Sequence, residues 1–293
     1  MTALAPPFPY YGGKQRIAER IVDLFPPHEH YLEPFAGGLS VLFAKRPSRM
    51  ETVSDKDRAL MTFWRVLRDR PDELARACAL TPHARAAYVE ALSLYTSHLT
   101  PTPAHDLEIA RRVFTIFAQG RASKTAATSW RMHVDPSGSS LSLPGYLRAY
   151  VARMAALAER LQNVTLETLD AVELIDRYAP HRGVLIYADP PYLASSRNSR
   201  GYRNEMGSEA EHTRLAEQLC AAKASVVLSG YRSPLYDRLY RDWDRVEIPS
   251  GTAQGGVYGP RTEVVWSNRT ISSPDLLEQL KASRPSIRRA FTL

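Results

Sequence analysis

The stretch Val184-Leu185-Ile186-Tyr187-Ala188-Asp189-Pro190-Pro191-Tyr192 decides the fold. Five consecutive apolar residues predict a buried strand, and the acid, prolines and tyrosine after them predict a stiff turn at its carboxyl end. Open α/β sheets gather ligands and chemistry in the crevice beyond those ends. Asp189, Pro190, Pro191 and Tyr192 are therefore the candidate catalytic residues.

Upstream, Tyr31-Leu32-Glu33 leads into Pro34-Phe35-Ala36-Gly37-Gly38, after which Leu39, Val41, Leu42 and Phe43 resume with helical spacing as far as Pro47. That pattern is a strand, a glycine turn and a helix. Glu51-Thr52-Val53-Ser54-Asp55 predicts the next short strand, ending in an acid. Ile17, Ile21, Val22 and Leu24 predict a helix over 15–24, closed by Pro26-Pro27. From about Ala59 to Arg112 the pattern is mostly helical, with Pro71, Pro82, Pro101 and Pro103 as punctuation. Residues 119–146 differ, carrying Gly120, Arg121, Lys124, Trp130, Arg131 and a loop-like run at 135–140, and are expected to form an exposed insertion. A helix over 146–161, a strand near 164–166 and a helix after Asp170 restore the alternation. Downstream of the Asp189 turn comes an arginine-bearing loop. Ser208-Glu209-Ala210-Glu211 is a capping-box match expected to open a helix through Ala222. Ser225–Ser229 predicts a strand, and Val246–Ile248 with Glu263–Ser267 predict a glycine-joined terminal hairpin. The expected organisation is a catalytic unit from 1–57 and 160–280, a helical insertion at 58–159, and a basic tail at 281–293.

Lys and Arg exceed Asp and Glu by 38 to 31, a net charge of +7 that suits a polyanionic partner. The two cysteines, Cys78 and Cys220, are far apart and outside any CxxC pattern, which argues against a disulfide framework or a cysteine zinc site and fits a reducing, cytoplasmic setting. His28 and His30 lack a third ligand, so no metal is expected. His83 and His212 read as surface or helix-end residues. No apolar run approaches membrane-spanning length, and the amino terminus lacks a leader pattern, so a soluble protein without membrane partners is expected.

Asp55, an acid ending the second strand after a glycine turn, either holds the paired hydroxyls of a ribose or caps a helix over 56–68. Residues 35–40 read Phe-Ala-Gly-Gly-Leu-Ser, so the G-x-G-x-x-G pyrophosphate fingerprint is absent. An adenosine ligand without phosphates fits better, and S-adenosylmethionine is one.

With that reading the chain resembles the adenine-N6 DNA methyltransferases of the Dam-like, D12 class. The resemblance runs through Pro9-Tyr10-Tyr11-Gly12-Gly13-Lys14, Leu32 to Gly38, Ser54-Asp55, Asp170, Asp189 to Tyr192, Leu228-Ser229-Gly230-Tyr231 and Glu263 to Ser267. It departs where the family often has a further glycine, at Leu39. It implies a Rossmann-like methyltransferase sheet, S-adenosylmethionine as cofactor and double-stranded DNA as partner. Tyr10 and Lys14 would line the methionine end with Glu33, Phe35 and Gly37. Asp55 would bind ribose, and Asp170 would either approach the adenine ring or cap its helix. Asp189 and the Pro190 carbonyl would accept from the amine of an adenine flipped out of the duplex, with Tyr192 stacking on the base. The target-recognition insertion would lie at 111–146. Arg111, Arg112, Arg121, Lys124, Trp130 and Arg131, with Arg197, Arg200, Tyr202 and Arg203 beside the catalytic turn, are the candidate DNA contacts. Arginines on a helix also read as a solvated face, and Trp130 as core.

Rival readings at this level are cytosine-N4 methylation, where Ser tends to replace the Asp, RNA or protein amide methylation, where the turn often begins with Asn, and a catalytically silent DNA-binding scaffold; Asp189 counts against the first two. No nuclease signature is visible, so a restriction or phage-encoded partner would be a separate protein. Nothing in the sequence sets an oligomeric state.

Overall fold

A computed structural model describes residues 4–96, 102, 104–120, 130–132, 138, 142–193, 206–254 and 257–271. Its strands are β1 (His30–Glu33), β2 (Met50–Ser54), β3 (Thr165–Glu167), β4 (Val184–Ala188), β5 (Ser225–Gly230), β6 (Asp244–Gln254) and β7 (Val257–Ser267). They form one sheet in the order β3-β2-β1-β4-β5-β7-β6. The first five run parallel, and β7 joins β5 antiparallel before pairing with β6. Strand order reverses between β1 and β4, which makes their carboxyl ends the topological switch point where an open α/β sheet leaves a crevice.

The helices are α1 (Ala18–Val22), α2 (Ser40–Ala44), α3 (Arg58–Asp69), α4 (Pro71–Ala79), α5 (Arg85–Thr96), α6 (Asp106–Gln119), α7 (Leu143–Val151), α8 (Met154–Leu161), α9 (Ala171–Tyr178), α10 (Glu209–Ala221) and α11 (Pro234–Leu239). Alternation along each strand sends side chains to two cores. Tyr31, Leu185, Tyr187 and Val227 pack on one face with Phe63 and Trp64 of α3, Phe114 and Phe117 of α6, and Leu157 of α8. Leu32, Ile186, Val226 and Trp266 pack on the other with Leu174 of α9, Leu215 of α10 and Tyr236 of α11. β4 is buried at all five positions because helices cover both its faces. This is the doubly wound α/β sheet with an antiparallel end that the sequence predicts.

Local sequence explains the elements that frame the crevice. Asp57, extended at the N-cap of α3, accepts from the Ala59 and Leu60 amides, and Leu60, Phe63, Trp64 and Leu67 then present one buried stripe. The capping box at Ser208 and Glu211 opens α10 as its pattern predicts.

Several boundaries differ from the sequence reading. The helix expected over 15–24 is regular only over Ala18–Val22. The helix expected over 146–161 is two, α7 and α8, with Ala152 and Arg153 between them. Within the expected 58–159 insertion, α3 and α6 contribute to the same core as β1 and β2. The hairpin strands are eleven residues each, longer than the short apolar runs that announced them. His212 stands in the first turn of α10, a helix end as one of its two readings has it, but is 1% exposed; its ring nitrogens meet the Met206 carbonyl and the Tyr236 hydroxyl, both at 2.9 Å.

Candidate active site

A cleft of about 830 Å³ opens at the switch point, lined by the amino-terminal loop at 10–14, the turn after β1, Asp55, the start of α9 and the Asp189 turn. The turn after β1 is held from three sides. The Gly37 amide donates to Asp55 at 2.9 Å, and the Gly37 carbonyl accepts from the Trp64 indole of α3 at 3.1 Å. Tyr10 closes the third side: a Cβ on Gly37, whose φ is +46°, would stand 2.8 Å from its ring. Leu39, where the family often has glycine, enters α2 at φ 54° with its side chain fully buried. The left-handed conformation costs a non-glycine residue about 1–2 kcal/mol, and burial of the leucine side chain offsets a cost of that size.

The acids predicted at the strand ends reach this cleft. Asp55 uses one oxygen for the Gly37 amide and the other for the Asp57 amide at 2.8 Å. The helix-capping role falls to Asp57, and Asp55 lines the cleft. Burial, helped by the Asp57 charge, pushes its carboxyl up to about 6. Asp170 caps α9 through the Val172 amide at 3.0 Å, pairs with Lys56 at 3.1 Å and also lines the cleft, so both sequence readings of it describe the same side chain. Burial alone would raise its pKa, but the Lys56 bond and the Val172 amide outweigh it and hold the carboxyl low. Glu33 is 3% exposed and accepts from the Tyr31 hydroxyl at 2.8 Å. Burial, with the Asp189 charge nearby, pushes it up to about 8 despite that bond.

Lys14 does not simply line the cleft. Its ammonium is buried and donates to both Asp189 oxygens at 2.7 Å, to the Gly12 carbonyl at 2.9 Å and to the Tyr192 hydroxyl at 2.6 Å. Tyr192 in turn donates to Glu263 of β7 at 2.7 Å, and Glu263 lies 3.7 Å from the same ammonium. Tyr192 is 5% exposed, with its ring centred 4.4 Å from that of Tyr231. Burial depresses the Lys14 pKa, but Asp189 and Glu263 outweigh it and the ammonium stays charged. Burial pushes Asp189 up, against the pull of Lys14, and pushes Glu263 to about 7. Sequence reasoning placed Glu263 in a strand motif and gave it no site role. The available signal was an acid opening an otherwise apolar strand, Glu263-Val264-Val265-Trp266.

The expected DNA contacts divide. Arg111 and Arg112 both bond Glu108 on α6 through their guanidinia, at 2.6–2.7 Å. Trp130 stacks on His83 at 4.5 Å, has the Arg85 guanidinium 4.8 Å over its ring and donates to Gln119. Arg131 sits beside it, with its amide on the Gln119 carbonyl. Gly120 and Trp130 form an isolated antiparallel bridge. Arg121, Lys124, Arg197, Arg200, Tyr202 and Arg203 lie outside the described residues. Among the described residues no cluster of three or more His, Cys, Asp or Glu could hold a metal, and no helix is long and apolar enough to cross a membrane.

Comparison with known proteins places these residues in a family. The model for "D12 class N6 adenine-specific DNA methyltransferase" matches residues 10–125 and 148–254. Tyr10, Lys14, the turn after β1, Asp55, Asp170 and Asp189 all fall inside the match. The Type II methyltransferase M1.LlaDCHI of Lactococcus lactis subsp. cremoris is 25% identical over 279 residues, covering 88% of this chain and 93% of that protein. Among solved structures, a precorrin 8w decarboxylase from Methanobacterium thermoautotrophicum aligns at 11% identity and a TM-score of 0.34, over 92% of this chain and 97% of its own. A SAM-dependent methyltransferase from Agrobacterium tumefaciens aligns at 12% and 0.36, over 86% and 59%. Those two likenesses are too loose to add to what strand order already states about the fold. The family match spans most of the chain and carries the cleft with it: this protein belongs to the D12 class of N6 adenine-specific DNA methyltransferases.

Proposed function

We propose that this adenine-N6 DNA methyltransferase takes its methyl group from S-adenosylmethionine held in the 830 Å³ cleft, and delivers it to an adenine swung out of the duplex at Asp189. The carrying observation is that one cleft is lined both by a nucleoside-type site, Asp55 with the Gly37 turn, and by the Asp189 turn. The donor set fits the cofactor. Asp55 has free lone pairs for two ribose hydroxyls, and Asp170 offers an acceptor toward the adenine. Tyr10 and Phe35 supply apolar walls, and Glu33 and Asp189 face the end where an ammonium and a sulfonium would sit. When bound, the cofactor supplies a methyl group made electrophilic by its sulfonium.

The residues of the chain then have to prepare the amine. Adenine N6 is a weak nucleophile because its lone pair is delocalised into the ring. Acceptance of its two hydrogens by the Asp189 carboxylate and the Pro190 carbonyl pulls the nitrogen toward tetrahedral geometry and localises that pair. The carboxylate also stabilises positive charge developing on nitrogen. Pro190 and Pro191 fix the turn, and Tyr192, with its hydroxyl held between Lys14 and Glu263, anchors it from beneath. Alignment then carries much of the acceleration.

Extrusion of the base costs a few kcal/mol, and protein contacts must offset it. The stretch between α6 and α7, entered at the Gly120–Trp130 bridge and carrying Arg131, is the proposed target-recognition part of the 58–159 region, together with the basic residues at 121, 124, 197, 200 and 203. The test is product analysis: unmethylated DNA is incubated with protein and methyl-labelled S-adenosylmethionine, digested to nucleosides and analysed by mass spectrometry. Labelled N6-methyladenine is expected. Label in N4-methylcytosine alone, or none in DNA, overturns the proposal.

A further inference from the structure

Glu263 is the buried acid in this site whose purpose the proposed chemistry leaves open. It is 3% exposed, stands on β7, the antiparallel strand, 3.7 Å from the Lys14 ammonium, and accepts from Tyr192. Around it stand Lys14 and Asp189, the Tyr192 hydroxyl, Tyr187 of β4, and Tyr231 packed on Tyr192.

The arrangement contains a conflict. Asp189 is most useful to an amine when it carries its full negative charge and has lone pairs to spare, yet Lys14 spans both its oxygens at 2.7 Å. An ammonium held there draws off the electron density that should localise the lone pair and balance the charge developing on nitrogen. Lys14 has three protons, and its four contacts use all of them: one is shared by the two Asp189 oxygens, one goes to Gly12 and one to Tyr192. Glu263 already shares the Tyr192 hydroxyl with that ammonium and lies 3.7 Å away, about 1 Å beyond a direct bond.

We propose that Glu263 is a positioning residue: it is the second carboxylate to which the Lys14 ammonium passes when the base amine takes up Asp189. This rests on the reading of Asp189 as the acceptor of the adenine amine. Lys14 moves about 1 Å along the Tyr192 hydroxyl, keeps a carboxylate partner throughout and never stands unpaired in a buried site, where an uncompensated charge is costly. Asp189 is left with its charge and lone pairs for the amine. No covalent bond changes in the step.

A pH dependence follows from the geometry. Burial raises the Glu263 carboxyl to about 7, and once protonated it no longer attracts Lys14. The ammonium then stays on Asp189 and the methyl-transfer rate falls on the acid side of that value.

The experiment is single-turnover methyl transfer at saturating cofactor and DNA, from pH 5.5 to 9, with cofactor affinity measured in parallel. Glu263→Gln is expected to slow transfer about tenfold at pH 8 and to flatten the acid limb, with cofactor affinity within about threefold of wild type. A Glu263→Gln rate equal to wild type, or a slowed variant that keeps the wild-type acid limb, overturns the proposal; a merely structural Glu263 gives the second result. Where Glu263→Gln weakens cofactor binding more than threefold, Tyr192→Phe, which deletes the shared hydroxyl but no charge, decides: a loss of about threefold supports the proposal and a wild-type rate overturns it. If wild-type protein makes no N6-methyladenine, the reading of the site has failed. If it does and Glu263→Gln matches it, the role of Glu263 alone has failed.

Discussion

The Lys14 cluster beside the cleft and the surface of α6 solve opposite charge problems. In the cleft one ammonium, Lys14, serves two carboxylates, Asp189 and Glu263. On α6 one carboxylate, Glu108, serves two guanidinia, Arg111 and Arg112. The cleft partners are 175 residues or more from Lys14 in sequence, whereas the α6 partners are three and four residues apart. Neighbours at that spacing meet on any helix, so their pairing says little beyond the helix itself. A pairing assembled from an amino-terminal loop, the end of β4 and the last strand exists only because the fold brings three remote segments together, which is the kind of convergence the role proposed for Asp189 calls for.

The sharpest way to break this contrast is Asp189→Ala. Loss of the acceptor is expected to lower single-turnover methyl transfer by about 10³-fold, the scale of removing one preorganised group aimed at developing charge. Cofactor affinity, measured by calorimetry, is expected to stay within about tenfold, because Asp55 and the Gly37 turn remain. Undiminished transfer would reduce the cleft pair to the same structural standing as the α6 pair.

The two regions also differ in how far their sequences can be read. Asp55 and Asp189 follow short strand patterns directly, so backbone periodicity alone puts them at a sheet edge, and the structure brings both to one cleft. Leu39 shows the limit of that reasoning: where the family often has a glycine, a buried leucine takes up the left-handed conformation because the core accepts its side chain. Lys14 was legible as a loop lysine but not as the partner of Asp189, and Glu263 not at all as part of the site, since neither contact has a local signature. Arg111 and Arg112 show the reverse. Their charge was visible in the sequence, and Glu108, which neutralises it, was visible too but uninformative without the α6 geometry. The bounds of the 58–159 region have no such signature, because alanine- and leucine-rich amphipathic stripes look alike whether they cover a sheet or stand apart from it.

The cleft is also expected to respond to pH where the α6 surface does not. The Glu33 carboxyl, pushed up to about 8 by burial, holds in the folded protein a proton that the unfolded chain releases near its ordinary value of 4.5. Its contribution to stability is therefore full below pH 4.5 and is lost as pH rises through 8; Asp55, raised to about 6, acts with the same sign over a lower window. Glu33→Gln keeps an oxygen for the Tyr31 hydroxyl and cannot ionise. Urea unfolding is expected to show little change at pH 5 and a gain on the order of 1–3 kcal/mol at pH 9. The same pH slope in both proteins would show that the raised carboxyl is not a stability term.

The smallest effect belongs to α6, and its smallness is the test. If Arg111 and Arg112 gripped phosphates, replacing both with alanine would weaken DNA binding strongly and cut the slope of log affinity against log salt by about two, because each phosphate contact contributes about 0.9. In the structure their guanidinia are already matched by Glu108, and their side chains are only 23% and 16% exposed. The double variant Arg111→Ala with Arg112→Ala is therefore expected to bind DNA within about twofold of wild type with an unchanged salt slope, and to lose about 1 kcal/mol of stability or less from the helix pairs. Anisotropy titrations on one duplex at several salt concentrations measure both quantities. A slope reduced by two would mean that Glu108 releases the arginines when DNA arrives, and α6 would then belong with the cleft, as a place where a charged group changes partners during function.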